Sequence, residues 1–317
     1  MHRFCCSKKR YILRVAVIDF GTNSILLIIA EKTERGFDII YQDKEEPRLG
    51  YRFERTGRLD SDNMKKSLRA LQRLLGEVQK FNVDKTVGIG TRIFRDADNT
   101  DEILNLVNDE CDFKIAILSE EQEAEYAFKG ALWGLNLPEL DCIVVDIGGG
   151  STEISYIDTN LNMILRSLSL GAVYLTDRFL RDLPPKDADV ANIRNYINNQ
   201  LSSTVPDDTN SKENVVFSGG TATTTAAAIL GLDKYSSEKV HGSRFSRNDL
   251  NSFINRIKQS DLEACKRVLN IDPERADIIL AGLLILSAIL ECFGFDRFFV
   301  SDGGVRYGVV KEILKTD

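Results

Sequence analysis

The segment VVDIGGGSTEIS, residues 144–155, carries the residues of this sequence that are best suited to chemistry. Two apolar runs enclose a set of acidic, glycine and hydroxyl residues, namely Asp146, Gly148, Gly149, Gly150, Ser151, Thr152 and Glu153. Glycine permits positive φ and close approach of the backbone, so consecutive glycines can turn their N–H groups toward the oxygens of a phosphate. The two hydroxyl groups add donors. The segment therefore predicts a phosphate-binding turn between two strands.

The two carboxylates of this segment also predict a metal site. Asp146 stands at the carboxyl end of its predicted strand, where it can hold Mg²⁺ directly or through water. Glu153 supplies a second hard oxygen ligand of the kind that Mg²⁺ prefers. We therefore expect Mg²⁺ as the cofactor. A tight hairpin whose glycines satisfy only turn geometry is the alternative interpretation.

The same plan occurs a second time near the N-terminus, in VAVIDFGTNSILLI at residues 15–28. Both segments have an apolar strand, an aspartate, one residue, a glycine, two residues, a serine and a second apolar strand. The candidates for substrate contact in this copy are Asp19, Gly21, Asn23 and Ser24, although all four are also ordinary turn formers. The repeat predicts two related lobes, with the loop around 134–140 as a candidate boundary.

Two more glycine pairs follow predicted strands. The segment FSGGTAT, residues 217–223, lies between a strand and a helix, where backbone amides and the helix dipole favour an anion. Its candidate phosphate contacts are Ser218, Gly219, Gly220 and Thr221. SDGGVR, residues 301–306, repeats the arrangement. The sequence has no G-x-x-x-x-G-K-[ST] motif, and no G-x-G-x-x-G opens a helix after the first strand, which argues against a P-loop or dinucleotide site.

Composition narrows the function further. The chain has 317 residues and a formal net charge of −7, which argues against nucleic acid or an anionic membrane as a partner. It has only two histidines, which argues against a Ser-His-Asp triad or a histidine-rich metal site. Any acid, base or metal ligand is therefore expected to be a carboxylate. Six cysteines without a C-x-x-C pair favour a reduced, cytoplasmic protein.

The order of predicted elements is that of an α/β protein, since strands and helices alternate after a basic tail at residues 1–13. Ser119 and Gln122 predict a capping box at a helix start. Asp272 with Pro273 predicts the start of a buried helix over the apolar stretch 278–290. That stretch has thirteen residues, fewer than the ~20 that a membrane span needs.

Nine motifs, taken in order from Val15 to Val310, resemble those of the exopolyphosphatase/guanosine pentaphosphate phosphohydrolase (Ppx/GppA) family. They are VIDFGTNSILLIIAE, RLG at 48–50, GTRIFRDADN, LSEEQEAEYAFKG, VVDIGGGSTEIS, SLSLGAVYLTDRF, SGGTATT, PERADIILAGLLIL and VSDGGVRYGVV. The resemblance implies an actin-like fold of two duplicated ribonuclease-H-like lobes, 14–128 and 129–317, with the active site in the interdomain cleft and the terminal helix packing back on the first lobe. It is the short, two-domain form that this chain resembles.

The resemblance also assigns site residues. The family's turn for phosphate and Mg²⁺ falls on 146–153, its catalytic glutamate on Glu123, and its phosphate-binding arginine on Arg95. The chain departs from the family pattern in SEEQEA, where Glu120 replaces a glycine and Gln122 replaces a glutamate. Glu121 is the rival base if the register is shifted.

The activity implied by the resemblance is the release of the terminal phosphate of inorganic polyphosphate, the 5′-terminal phosphate of guanosine pentaphosphate, or both. A glutamate would activate the attacking water with the help of Mg²⁺, in a cytoplasmic homodimer of the stringent response that binds neither nucleic acid nor membrane. Two alternatives remain at this point: a kinase of the same superfamily that uses ATP, and a sensor that binds a phosphorylated ligand without catalysis.

Overall fold

The computed structural model describes residues 12–22, 24–34, 36–51, 53–180, 183–202 and 212–315. The contacts divide the chain into two compact units. The first unit contains the residues up to Tyr126 together with those from Arg306 onward, and the second contains residues 127–305. The expected basic tail lies outside the described residues except for Ile12 and Leu13.

The first unit is built on a five-stranded sheet. In chain order its strands are β1 (Arg14–Phe20), β2 (Ile25–Thr33), β3 (Gly36–Glu45), β4 (Lys85–Gly90) and β5 (Ile115–Ile117). The order across the sheet is β3-β2-β1-β4-β5, with β2 antiparallel to β1 and β3, and β4 parallel to β1 and β5. The central strand β1 is a continuous apolar run whose residues 15–18 are fully buried, as expected for a strand covered on both faces.

The helices of the first unit follow the sequence pattern closely. They are α1 (Phe53–Thr56), α2 (Ser61–Gln79), α3 (Arg92–Asp96), α4 (Thr100–Cys111) and the start of α5 (Glu120–Ala131). In α2, the buried Met64, Leu71, Leu74 and Val78 form the apolar stripe that packs on the sheet. The Asp60 side chain caps this helix by accepting from the N–H groups of its first turn.

The second unit is built on a six-stranded sheet. Its strands are β6 (Cys142–Ile147), β7 (Thr152–Ile157), β8 (Met163–Leu168), β9 (Asn214–Ser218), β10 (Arg244–Ser246) and β11 (Arg297–Val300). The order across the sheet is β10-β11-β9-β6-β7-β8. The helices are α6 (Ala172–Phe179), α7 (Asp187–Ser202), α8 (Gly219–Ile229), α9 (Ser237–Val240), α10 (Arg247–Lys258), α11 (Leu262–Val268), α12 (Ile279–Cys292) and α13 (Val305–Lys315), the last of which lies almost entirely in the first unit.

The two sheets share one topology. Each begins with three antiparallel strands that are consecutive in the chain, β1–β3 in the first unit and β6–β8 in the second. Two further strands then extend the sheet on the other side of the first strand and run parallel to it: β4 and β5 beside β1, and β9 and β11 beside β6. The second unit adds β10 at the outer edge. This repeat confirms the predicted α/β class and the duplicated ribonuclease-H-like, actin-like fold.

Helix α12 is the predicted buried helix, and its residues 279–290 are buried all round. The prediction that Asp272 and Pro273 begin it is wrong. They begin a short 3₁₀ turn, Pro273–Arg275, and α12 starts only at Ile279. The carboxylate of Asp272 caps neither element, because it accepts hydrogen bonds from Thr224 and Arg275 instead. Among the described residues, no helix combines the length and apolar character needed to cross a membrane.

The start of α5 explains one departure from the family pattern. The Ser119 N–H donates to Gln122 Oε1 at 3.0 Å, and the Gln122 N–H donates to Ser119 Oγ at 3.2 Å. This reciprocal pair is the predicted capping box, in which glutamine serves as well as glutamate. The side chain of Gln122 is therefore engaged in capping the start of the helix.

A second repeated feature follows the third strand of each unit, where a Leu–Gly pair braces the turn after the first strand. Leu49 and Leu170 are both fully buried. The Gly50 N–H donates to Thr22 O at 2.7 Å, and a Cβ on Gly50 would collide with the Thr22 side chain. A Cβ on Gly171 would collide with the backbone of residues 149 and 150. Only glycine allows this approach in either unit.

The brace predicts opposite outcomes for two glycines of the second unit. Gly171→Ala places a methyl group against rigid backbone, so we expect the free energy of unfolding to fall by about 2–3 kcal/mol. Gly150→Ala places its methyl group in open space at a negative φ, so the change should stay below about 1 kcal/mol. Urea denaturation of both variants measures the difference. Equal stability of the two variants would contradict the close packing of Gly171.

Candidate functional site

The turn after β6 and the turn after β1 are closed by the same hydrogen bond. The Gly148 N–H donates to Ser151 O at 2.9 Å, and the Gly21 N–H donates to Ser24 O at 2.9 Å. Residues 148–151 are called the glycine turn below. The two equivalent bonds show that the sequence repeat extends to backbone conformation. Asn23, a predicted substrate contact, lies outside the described residues.

The glycine turn directs two N–H groups away from helix α6. The carbonyl of Gly148 accepts from Ala172 N, and the carbonyl of Gly149 accepts from the N–H groups of Val173 and Tyr174, at 2.9–3.1 Å. In a trans peptide the N–H points opposite to the C=O, so the N–H groups of Gly149 and Gly150 point away from α6. No acceptor for them lies among the described residues. Such a pair of unpaired amides can bind an anion.

The glycines of this turn differ in how closely the protein packs against them. A Cβ on Gly149 would approach Val173 Cγ2 to 3.3 Å, and one on Gly148 would approach Ser151 O to 3.2 Å. A Cβ on Gly150 would meet no protein atom within 4 Å, and its φ is not positive. Protein packing therefore does not explain glycine at position 150. The position is open toward the space around the turn.

Four polar residues form a row across the sheet beside the glycine turn. Asp146 pairs with Ser218 on one side and with Glu153 on the other, and Glu153 pairs in turn with Ser167. Side chains of directly paired residues project on the same face, so the four lie next to one another. Ser218, Asp146, Glu153 and Ser167 are called the polar row below. It brings the two predicted metal ligands together.

Asp146 is the most perturbed member of the polar row. Burial, and then the negative charge of Glu153, raise the pKa of Asp146 to about 6, although a hydrogen bond from Ser218 opposes the shift. Its Oδ1 lies so close to Gly219 that a Cβ there would collide with it, and Gly219 also has φ +83°. Gly219 is thus needed both for its backbone conformation and for the room it leaves to this carboxylate.

The polar row fits a divalent cation with oxygen ligands. Two adjacent carboxylates, one of them buried, repel each other unless a positive charge lies between them. Within the described part of the chain, no group of three or more potential metal-ligating side chains occurs. Mg²⁺ suits this limited set, because it commonly takes one or two carboxylates and completes its shell with water and substrate phosphates.

Three predicted phosphate contacts have other roles in the structure. Thr152 is fully buried and donates its hydroxyl to Leu170 O, so this hydroxyl is engaged within the protein. Thr221 is also buried, with its side chain packed against Gly282 of α12, and its hydroxyl is equally inaccessible. The hydroxyl of Ser218 is directed to Asp146. All three side chains thus contact other groups of the protein.

Arg275, to which the sequence assigned no individual role, contacts the predicted anion-binding segment FSGGTAT. Its guanidinium lies directly over Gly220 at the start of α8, where a Cβ would collide with it. The Arg275 Nε donates to Asp272 Oδ2 at 2.6 Å, and Thr224 Oγ1 donates to the same oxygen at 3.0 Å. The space beside Gly220 is therefore filled by the guanidinium group of Arg275. The arginine belongs to the family motif PERADIILAGLLIL, and the motif alone does not indicate which residue the arginine contacts.

In the first unit, the two predicted catalytic side chains contact each other. Arg95 Nη1 donates to Glu123 Oε2 at 2.7 Å and to Leu118 O at 2.8 Å. Both side chains are largely buried, with 24% and 28% of their surface exposed. Glu121, the rival base, is exposed and accepts from Ser119 Oγ. The local structure therefore favours Glu123 over Glu121.

Asp19 lies in the same electrostatic environment. Its Oδ1 is buried and has no hydrogen-bond partner among the described residues. Burial raises the pKa of Asp19 to about 6; the positive charge of Arg306 opposes the shift and the negative charge of Glu123 adds to it. Arg306 is itself held by Leu27 O, to which its Nη1 donates at 3.3 Å. Two carboxylates and two guanidinium groups thus interact within the first unit.

The two repeats differ in what stands beside the aspartate. Asp19 pairs with Leu26 and Ile89, which are apolar, whereas Asp146 pairs with Glu153 and Ser218. The paired carboxylates that suit a metal therefore belong to the second unit. The duplicated framework carries a carboxylate and arginine cluster in one copy and a pair of adjacent carboxylates in the other.

Comparison with known proteins identifies the family of this chain. Residues 28–317 match the model of the Ppx/GppA phosphatase family. Exopolyphosphatase 2 of Mycobacterium tuberculosis is 28% identical over 312 residues, which cover 93% of this chain and 97% of that protein. The bifunctional 3-dehydroquinate synthase/phosphatase of Fusobacterium nucleatum is 29% identical over 314 residues. That match covers 94% of this chain but 46% of the relative, so the chain spans about half of its length.

Among solved structures, the type II variant of the Aquifex aeolicus Ppx/GppA phosphatase is similar, with a TM-score of 0.85 and 31% identity. The match covers 95% of this chain and 99% of that one. The resemblance found in the sequence motifs is confirmed. This chain belongs to the Ppx/GppA phosphatase family.

Proposed function

We propose that this protein is a Mg²⁺-dependent hydrolase that releases the terminal phosphate of inorganic polyphosphate, the 5′-terminal phosphate of guanosine pentaphosphate, or both. One observation carries the proposal: the outward N–H groups of Gly149 and Gly150 belong to the same turn that joins the strands of Asp146 and Glu153. An anion-binding element and a cation-binding pair this close suit a phosphate–metal complex. Family membership and the name of the mycobacterial relative support the same reaction class.

The second unit would hold the phosphate and the metal. The amides of Gly149 and Gly150 donate to oxygens of the terminal phosphate, while Asp146 and Glu153 would hold Mg²⁺. When bound, the ion supplies positive charge that neutralises the oxygens of the transferring group. Asp146 must be ionised for this role, and the hydroxyl of Ser218 favours its ionised form.

The first unit would supply the base. Arg95 bonds Oε2 of Glu123, so Oε1 is the oxygen that takes the proton of the attacking water. The water oxygen forms a bond to phosphorus as the bond to the bridging oxygen breaks, and the leaving phosphate takes up the electron pair of that bond. Both hydrogen bonds of Arg95 use Nη1, which leaves the other side of its planar fork for a phosphate oxygen.

Replacement of the base tests the reaction directly. We expect Glu123→Gln to lower phosphate release about 10²–10⁴-fold, the usual contribution of a general base. The matched control is Glu121→Gln, which removes an exposed carboxylate of the same helix turn and should leave the rate within about twofold. Phosphate release would be measured from polyphosphates of several lengths, guanosine pentaphosphate and ATP, with and without Mg²⁺.

Two outcomes would contradict the proposal. Unchanged turnover of Glu123→Gln would exclude Glu123 as the base. Equal phosphate release from ATP and polyphosphate would favour a kinase-like protein.

The space above Gly150 gives a second test. A methyl group there contacts no protein atom but projects into the volume assigned to phosphate, so Gly150→Ala should raise KM about tenfold, which corresponds to about 1.4 kcal/mol. Gly76→Ala, in helix α2, also adds a methyl group in open space and serves as the control. Steady-state kinetics with polyphosphate measures both. An unchanged KM for Gly150→Ala would place the phosphate elsewhere.

The raised pKa of Asp19 predicts a pH-dependent stability. The folded-state pKa of about 6 lies above the ordinary 3.8, so the favourable contribution of protonated Asp19 is complete below about pH 4 and is lost as the pH rises through 6. Asp19→Asn should therefore raise the free energy of unfolding by about 3 kcal/mol at pH 8 and change it little at pH 4. Urea denaturation at the two pH values measures this. If Asp19→Asn raised the free energy of unfolding equally at pH 4 and pH 8, ionisation of Asp19 would not be the cause of the added stability.

A further inference from the structure

Ser167 contacts the polar row from its outer end. It lies on β8, the edge strand of the second sheet, directly opposite Glu153. Although the residue is exposed, its Oγ donates a hydrogen bond of 2.9 Å to Glu153 Oε1. Neither the family motifs nor the predicted metal ligands gave this serine a role.

We infer that Ser167 is a positioning residue that holds the carboxylate of Glu153 in the orientation needed to bind the metal. The inference rests on the proposed role of Asp146 and Glu153 in binding Mg²⁺. The hydroxyl engages Oε1 and thereby leaves Oε2 of the same carboxylate for the cation.

The need for such a residue follows from the neighbouring charge. Glu153 stands beside the buried Asp146, and without a cation the two carboxylates repel each other. A glutamate side chain has several rotatable bonds, so repulsion would turn it toward solvent and its return would cost conformational entropy. A donor on the far side opposes that movement. Ser167 supplies the donor.

The polar row is also symmetric in its donors. Ser218 donates to Asp146 at one end and Ser167 donates to Glu153 at the other, so each carboxylate has one serine hydroxyl. Outer residues that orient a ligating carboxylate commonly change metal affinity about 10–100-fold when they are removed. A surface serine with no such role would change it little.

Metal binding without turnover provides the decisive measurement. Mn²⁺ serves as the probe, and its binding to the full-length protein would be followed by electron paramagnetic resonance in the absence of substrate. We expect Ser167→Ala to weaken Mn²⁺ binding about tenfold and Ser167→Thr, which keeps the hydroxyl, to restore it. The control is Ser169→Ala, which removes a hydroxyl from an exposed serine beyond the end of β8 and should bind as the wild type does.

A second readout separates positioning from general damage. Phosphate release by Ser167→Ala should need about tenfold more Mg²⁺ for half-maximal rate, while the rate at saturating Mg²⁺ and the thermal denaturation midpoint stay close to those of the wild type. Loss of rate at all Mg²⁺ concentrations, or a lowered midpoint, would overturn the inference and indicate a structural role.

Glu153→Gln distinguishes failure of this inference from failure of the proposed function. If Glu153→Gln weakens Mn²⁺ binding and Ser167→Ala does not, the metal site stands and the role of Ser167 is wrong. If the wild type does not bind Mn²⁺, or Glu153→Gln binds it equally well, the metal assignment itself is wrong and the inference falls with it.

Discussion

The repulsion between Asp146 and Glu153 is the constraint on which the second unit depends. Strand pairing places the two carboxylates side by side, and burial raises the pKa of Asp146 to about 6. Folding gains nothing from such a pair, because two adjacent charges in a poorly solvated site destabilise the native state. The surrounding residues are consistent with that cost: Gly219 leaves room for one carboxylate, and a serine donates to each. A site that is unfavourable when empty is well suited to bind a cation.

The duplicated framework places two different sets of side chains around one backbone arrangement. Both units close the turn after the first strand with the same Gly-to-Ser hydrogen bond and brace it with a buried Leu–Gly pair. What differs is the residue paired with the aspartate: Leu26 beside Asp19 and Glu153 beside Asp146. The backbone device has been kept while the side chains around it have diverged. Asp19 consequently interacts with Arg306 and Glu123 rather than with a paired carboxylate.

Glycine serves several physical purposes in these turns, and the sequence does not tell them apart. Gly171 is required by contact with backbone, Gly219 by its positive φ and a nearby carboxylate, and Gly220 by the guanidinium of Arg275. Gly150 meets no such demand. Contacts with the protein therefore do not account for glycine at this position.

The sequence by itself determined the local features: the apolar strands, the two repeated turns, the capping box of Ser119 and Gln122, and the family. Each depends on residues a few positions apart, whose spacing fixes hydrogen bonds and buried faces. The tertiary structure decided what lies beside each side chain. It paired Arg95 with Glu123, placed Arg275 over Gly220 and buried the hydroxyl of Thr152. These contacts join distant segments through strand register and helix packing, and for that reason the order of residues along the chain did not reveal them.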